Sequence, residues 1–537
     1  MSAECYPITI LPHVSPLYRG YLGMGDSPSD ALVRRWYGAE PFAGKWMRSD
    51  RPAVDAERLA GALARQNVEF GAGAAAMANI EKLRSGARAV VTGQQVGLFG
   101  GPLLTLLKAA TAVARAKDAT RVSGIDHVPV FWLATEDHDL AEVDQVSLLT
   151  KTTVETLRAG LKTKAAVEVG GIALGSEIDQ LLEQVGELLA YAPVWETLKE
   201  CYAAGQTLGG AFARLMARLF AEQGLIVMDA ASREFHALGA ATLQYAIEHA
   251  EELQTALIAR SEELVKAGYH AQVLVAAGGS LLFLVDEVTG ERMALRRLPD
   301  GGWKAGGKVY STSELIHVLE SAPERLSPNA LLRPVFQDTI LPTAAYIGGP
   351  SEIAYFAQSA VLYEAILGRV TPVLPRLSAT LLEPSIAAVM ETHEVQLPDA
   401  MTIAEELALR LGARAMPIEE KGKLAAAGNA LDAALAAAEN YMGGMDESLG
   451  RTVEVSSSKM RYQMNRLRRM AAAFELQKEA SLGKHAAAIT LNVFPDGHPQ
   501  ERVVAGVWFV ARHGEGLVER LVAAAANLCP GHVVIRL

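Results

Sequence analysis

Apolar positions along the chain change their period several times, and each change marks an element. From about Ala53 to Arg84 they recur at helical spacing. At ARAVVTG (87–93) they become a short β-branched run ending in Gly, and PLLTLLKAATAVARAK (102–117) returns to helical spacing with Pro in its first turn. This predicts a strand, a glycine-rich turn and a helix. The succession recurs at VPVFWLAT (128–135) before EDHDLAEVDQ, at GLIVMDA (224–230), and near residue 340 in ILPTAAYIGGPSEIAYFAQSAVLYEAI. Strands alternating with helices predict an α/β fold, a doubly wound, mostly parallel sheet covered on both faces. Two insertions interrupt it, a helical one over about 151–222 and another over about 265–325. In the second, AQVLVAA and SLLFLVD flank Gly278-Gly279, which reads as a hairpin.

After TPVLPRLS the pattern lengthens. Leu424, Leu431, Leu435, Ala438, Met442, Met445 and Leu449 follow heptad-like steps, and Met460, Met464, Leu467 and Phe474 resume the seam. The pattern predicts a long helix of coiled-coil character, weakened at Gly443 and Gly444, with LEPSIAAVMETHEV (382–395) as its antiparallel partner. A bundle helix packed on the globular body is the alternative. HVVIRL at the C-terminus reads as a strand returning to the sheet. The expected organisation is a core over 1–378 carrying both insertions, a helical arm over 379–488 and a return to the core over 489–537.

Composition removes several classes. Half of the 537 residues are hydrophobic and 21% are charged, which excludes a disordered or fibrous chain. Fifty Lys and Arg against 61 Asp and Glu give a net charge of −11, so nothing draws the protein generally to nucleic acid or an anionic membrane. An anionic ligand needs a local site. The N-terminus lacks a signal-peptide pattern and no apolar run is long enough to span a bilayer, which predicts a cytoplasmic protein. Cys5, Cys201 and Cys529 are too few and too scattered for a disulfide framework, so buried or incidental thiols in a reducing compartment are expected.

Three segments carry candidate chemistry. In TGQQVGLFGGP, Thr92 to Pro102, glycines 93, 97, 100 and 101 permit close backbone approach, and the helix start behind them offers free N–H groups to a phosphate or carboxylate. The spacing matches neither GxGxxG nor a Walker A loop, and a tight structural turn is the alternative. The adjacent amides Gln94 and Gln95 favour a ligand. Glu136, Asp137, His138 and Asp139 crowd the mouth of a strand, where one of them can act as a general base; a metal site or simple capping of the next helix are the rivals. Arg333, Gln337 and Asp338 precede another apolar run that ends in a second turn at Gly348 and Gly349, with Glu352, Tyr355 and Gln358 on one side of the helix beyond. The two turns and the acidic mouth together look like one crevice. GWKAGGKV (302–309) fits GxxxxGK, but Val309 stands where magnesium-binding Ser or Thr belongs, and it is discounted.

TGQQVGLFGGPLLTLLK, VFWLATEDHDLAEV, LLRPVFQDTILPTAAYIGGPSEIAYF and NVFPDGHPQERV, in that order, resemble the bacillithiol-biosynthesis cysteine-adding enzymes, also called cysteine ligases. The likeness runs from about residue 5 to the C-terminus. It implies a bacterial cytoplasmic enzyme with a Rossmann-like core and connecting-peptide insertions, similar to class I aminoacyl-tRNA synthetases, and a coiled-coil arm that dimerises. The implied reaction joins cysteine to the amino group of glucosaminyl malate. The chain departs from the synthetases in having no HIGH-like tetrapeptide after its first strand, and Ser457, Ser458 and Lys459 resemble their lysine-bearing loop only faintly. ATP or another adenine nucleotide is the simplest activator for the cysteine carboxylate. On this reading Thr92, Gly93, Gln94, Gln95, Gly97, Gly100, Gly101, Lys108, Arg333, Gln337, Asp338, Gly348, Gly349, Glu352 and Tyr355 bind substrate or nucleotide, and an acid among residues 136–139 takes the ammonium proton. A nucleotide- or metal-dependent hydrolase and a non-catalytic coiled-coil scaffold are the competing functions.

Overall fold

Strand Arg88–Gln94 (β1) sends Ala89 and Val91 to one face of a sheet and Val90 to the other, all fully buried. A strand covered on both faces reads as a continuous apolar run, which is why its position is legible in the sequence. The computed structural model describes residues 4–24, 28–37, 42, 44–50, 53–276 and 278–537. β1 lies at the centre of a parallel sheet with His127–Leu133 (β2), Ile226–Asp229 (β3), Thr343–Gly348 (β4) and Val373–Pro375 (β5), in the order β5-β4-β1-β2-β3. The chain winds outward from β1 to β3, then returns to the other side of β1 for β4 and β5. The strand order therefore reverses between β1 and β4, the place where such sheets bind ligands.

Helices cover both faces, as expected of a Rossmann-like fold. Leu104–Ser123 (α1) lays Ala112, Ala116 and Ala119 against Val90, Ile347 and Leu374. On the opposite face Pro350–Leu367 (α3, after Arg333–Ile340, α2) packs Ile353, Ala354 and Ala357 into the larger core with Tyr346 and Val373. The helical stretch expected over Ala53 to Arg84 is two helices, Ala56–Glu69 and Ala74–Arg84, because Gly71 takes a left-handed φ of 71° between them.

The first insertion contains the helices Glu177–Leu188, Pro193–Cys201 and Leu208–Leu219. The second carries a five-stranded antiparallel sheet, but its hairpin is displaced from the expected place. Gly279–Val285 pairs with Arg292–Arg297, not with residues 271–276, which form no strand; Ala277 lies outside the described residues. The reversal falls at 286–291, where the Asp286 carboxylate accepts the N–H groups of Val288 and Thr289 and Gly290 takes a φ of 69°. Residues 271–276 are instead held by Gln358, whose amide bonds both backbone groups of Val273. The GxxxxGK stretch is the turn between strands Trp303–Ala305 and Lys308–Tyr310.

The chain forms two compact units, one from Met1–Leu148, Glu155–Thr380 and Glu501–Ile535, the other from Leu149–Val154, Leu381–Gln500 and Arg536–Leu537. In the second unit the long seam is a helical hairpin of Ile418–Gly443 (α4) and Glu447–Lys478 (α5). Arg461 reaches back to Asp432 and Glu439, which fixes the antiparallel pairing. Gly443 thus ends α4 and Gly444 opens the turn, so they mark a reversal rather than a weak point within one helix, and Asp446 caps α5 by accepting from Ser448 and Leu449 N–H. The partner expected from residues 382–395 is a short helix, Pro384–Thr392, that packs instead on Ala480–Val493, where His393 Nε2 meets His485 Nδ1 at 2.7 Å. No helix among the described residues is long and apolar enough to cross a membrane.

Two expectations about the termini are corrected. His532–Arg536 does not rejoin the parallel sheet; it lies between Glu4–Tyr6 and Ala379–Leu382 in a separate three-stranded sheet. Cys5 and Cys529 are bonded to each other, with Cα atoms 5.9 Å apart, and only Cys201 is a free, buried thiol among the described residues. A separation of 524 residues hides the pairing from sequence, because the antiparallel register that sets Cys5 opposite Val533 is a tertiary fact. Denatured without reductant, the protein is expected to titrate one thiol, and three after reduction; reduction should lower its unfolding free energy by about 2–4 kcal/mol. Three titratable thiols before reduction would contradict the bond.

Candidate active site

At the carboxyl ends of β1 and β4 a cavity of about 370 Å³ opens at the point where the strand order reverses. Lys108 of α1 forms its floor. This lysine is almost fully buried, donates to Gly93 O (2.7 Å) and Gln94 Oε1 (3.0 Å), and ion-pairs with Glu352 Oε2. Glu352, in the first turn of α3, also accepts the Gly349 N–H (2.8 Å) and the Tyr346 hydroxyl (2.6 Å). Burial raises its pKa, but Lys108 and these donors together carry it below the ordinary carboxylate value. Burial also depresses the Lys108 pKa, and the neighbouring Arg376 and Arg333 add to this against the pull of Glu352.

Two further cations reach the cavity from separate elements. Arg333, at the start of α2, donates to Tyr355 Oη (2.9 Å) and Gln337 Oε1 (3.2 Å) and lies over the Tyr346 ring. Arg376, just past β5, forms a two-pronged pair with Glu501 at 2.6 and 3.0 Å. Arg502 completes four cationic lining side chains, which share the cavity wall with the carboxylates of Asp137, Glu142 and Glu352. Crowded guanidinium and ammonium groups beside the N-terminus of α3 favour a multiply charged oxyanion. Asp137 lines the same cavity, with Oδ2 accepting from Gln95 Nε2 (2.6 Å) and Oδ1 from the His138 N–H (2.7 Å). These bonds fix the orientation of its carboxylate.

Of the residues chosen from sequence, Gly93, Gln94, Gln95, Lys108, Asp137, Arg333, Gly349, Glu352 and Tyr355 line this one cavity. The others stand behind or beside it. Thr92 Oγ1 donates to Ile347 O and stitches β1 to β4. Gln337 and Asp338 are buried under Arg333, bonded to each other and, through Asp338, to Tyr363. Gly348 accepts the Arg376 N–H. Gly97, Gly100 and Gly101 face protein: a Cβ on Gly100 would press on Leu215, and Gly101 O accepts from Gly506 N. The glycine turn serves close packing, and only its first glycine and the two glutamines after it reach the cavity. Trp132, Tyr346, Arg376 and Arg502 were missed. Arg376 carries no local motif, and Arg502 lies in NVFPDGHPQERV, whose spacing names no chemistry; tertiary folding brings both to β1.

The acidic mouth divides. Asp139 caps helix Leu140–Val143 by accepting from Glu142 N (3.2 Å). His138 leaves the cavity for Arg292 (3.3 Å) and Phe283. Glu136 is buried against His236, 2.8 Å from its Nε2, in a second cluster with Glu168 and Arg292. Glu168 lies on a strap whose Val169 and Gly170 N–H groups bond Asp137 O and Thr135 O. Burial, reinforced by Glu136, pushes its pKa up to about 8. Among the described residues no group of three or more His, Cys, Asp and Glu is placed to hold a metal ion.

A five-stranded parallel sheet with an oxyanion-attracting cavity at its switch point defines a Rossmann-like small-molecule-binding protein. Residues 1–377 match the model of the bacillithiol biosynthesis BshC N-terminal Rossmann-like domain, and residues 379–537 that of the BshC C-terminal coiled-coil domain. The chain belongs to the BshC family. Similar proteins include the "Putative cysteine ligase BshC" of Koribacter versatilis, 40% identical over the whole of both chains, and that of Solibacter usitatus, 33% identical over the whole of both. That of Salinibacter ruber is 31% identical, covering 90% of this chain and 89% of its own.

The Glu168 environment predicts a pH dependence. The native state holds a proton that the unfolded chain releases above its ordinary value of 4.5, so this group's contribution to stability falls as pH rises from 4.5 to about 8 and is level beyond. Glu168→Gln should remove that slope and leave the variant the more stable protein, relative to wild type, at about pH 9 than at about pH 5. Parallel denaturation curves across the range would refute it.

Proposed function

We propose that the cavity is the active site of a ligase that joins the carboxylate of cysteine to the amino group of glucosaminyl malate, the last step of bacillithiol synthesis, in the cytoplasm. The observation that carries this reading is the convergence of Lys108, Arg333, Arg376 and Asp137 on one cavity. A carboxylate is a poor electrophile at neutral pH, so it needs an activating group, and ATP or another adenine nucleotide is the simplest co-substrate. The carboxylate oxygen would take up a phosphoryl or adenylyl group with release of ADP or pyrophosphate, and the amine would then form the C–N bond as the C–O bond to phosphate or AMP breaks. Lys108, Arg333, Arg376 and the α3 N-terminus would hold the nucleotide's phosphates and offset charge that builds on the reacting carboxylate. Asp137 would accept the proton that the attacking ammonium must lose. The thiol belongs to the substrate, and the buried Cys201 has no part: burial raises its pKa to about 11.

Incubation of the protein with cysteine, glucosaminyl malate and ATP should yield the cysteinyl adduct by mass spectrometry, and Asp137→Asn should lower turnover by roughly 10²-fold or more. A folded protein that makes no adduct, with or without added divalent metal, would sink the ligase reading in favour of a hydrolase or scaffold.

The arm supports a second part of the proposal, a homodimer. On α5, Met460, Leu467, Met470 and Phe474 follow heptad spacing, yet each is at least 51% exposed. A single helical hairpin leaves this stripe uncovered, and two-fold pairing with a second copy would bury it. Replacing Met460, Leu467 and Phe474 with Glu should shift the light-scattering mass from dimer to monomer; a monomeric wild type at micromolar concentration would rule the dimer out.

A further inference from the structure

We infer that Glu501 is the positioning residue for Arg376, and that through Arg376 it sets how the cavity holds a multiply charged oxyanion. The inference rests on the reading of the cavity as the active site. Both side chains are about 2% exposed, and Glu501 engages the Arg376 guanidinium with both oxygens. Glu501 is itself immobilised, accepting from Ala379 N (2.8 Å) and from Ser378 Oγ (3.2 Å). Behind it His532 lies 2.8 Å from Ser378 Oγ through Nδ1 and 2.8 Å from Thr380 Oγ1 through Nε2. The carboxylate therefore has one orientation. Arg376 is pinned at its other end, where its N–H donates to Gly348 O (2.9 Å), and it runs alongside Gly349, where a Cβ would lie 3.6 Å from Nε. One guanidinium edge is spent on Glu501 and Leu377 O, which leaves the other side of the group for the cavity it lines.

A purely structural pair is the competing account. Burying two charges costs several kcal/mol each, and well-packed apolar residues commonly replace such a pair without loss of stability. A pair whose arginine opens onto an anion-attracting cavity is better explained by what that arginine must bind. Two kinds of ligand share the required chemistry, a phosphate chain and the malyl carboxylates of the acceptor. Inorganic pyrophosphate and malate serve as separate probes.

The test uses the full chain and calorimetric titration with each probe. Wild type should bind at least one of them, and Glu501→Gln and Arg376→Lys should each weaken that binding about tenfold or more. In the Arg376→Lys background, Glu501→Gln should add little, because it acts through the arginine. If Glu501→Gln does not fold, the apolar pair Arg376→Met/Glu501→Leu decides. A folded double variant that no longer binds the probe supports the proposal, and one that binds as wild type does overturns it. Failure of wild type to bind either probe overturns the clamp. An active wild type with intact binding in all variants would defeat this inference alone, whereas absence of the cysteinyl adduct would strike at the ligase reading.

Discussion

The buried ion pair between Lys108 and Glu352 is the interaction on which the site depends. Its two members come from α1 and α3, helices on opposite faces of the sheet, and they meet at the one crevice where the strand order allows it. Taking both charges out of water is costly, and losing one partner of such a pair costs about 3–5 kcal/mol. The surrounding donors offset that cost. Lys108 spends its remaining hydrogens on Gly93 O and Gln94, and Glu352 takes the Tyr346 hydroxyl and the Gly349 N–H. The pair thereby fixes the ends of β1 and β4 relative to one another. The same bonds place Gln94 and Gly349 in the cavity lining.

Once that pair is set, like charges have to be accommodated. Arg333 and Arg376 both oppose the charge on Lys108, and each is stabilised by a different device, tyrosine hydroxyls for one and a carboxylate for the other. Four cations meet four carboxylates here, Asp137, Glu142, Glu352 and Glu501, so what the cluster offers an incoming anion is a local grouping of donors rather than a surplus of charge. The preorganised arrangement also limits the reorganisation needed when charge develops on a bound group.

Much of the core was legible because its physics is local. β1, β2 and β4 are apolar on both faces and end at glycine or polar turns, so their carboxyl ends, and with them Gln94, Gln95 and Glu352, could be placed from spacing. What escaped depends on distant residues meeting. Arg376 needs Glu501, 125 residues away, and Cys5 needs Cys529. The packing role of the glycine turn stayed hidden for the same reason: Gly100 and Gly101 meet neighbours at Leu215 and Gly506 that sequence cannot set beside them. In the arm the heptad pattern located helical sequence correctly, but the position of the reversal at Gly443-Gly444 is decided by which antiparallel pairing Arg461 can make.

Glu136 and Asp137 show how far one step along the backbone separates two chemistries. Past the end of β2 the chain turns at Thr135 and Glu136, and the two carboxylates part there: Asp137 lines the cavity, whereas Glu136 pairs with the buried His236. The buried pair cannot reach a ligand in the cavity, yet it shapes the site. Burial raises the Glu168 pKa, with Glu136 adding to the shift and His236 opposing it, and Glu168 sits beside the strap residue whose N–H bonds the Asp137 carbonyl. The backbone of Asp137 is thus held from behind by a segment packed on a closed acid–imidazole cluster, while its carboxylate is held in front by Gln95. Orientation from both sides leaves Asp137 as the one member of the 136–139 cluster that lines the cavity, a placement that four adjacent ionisable residues in a flexible loop would not secure.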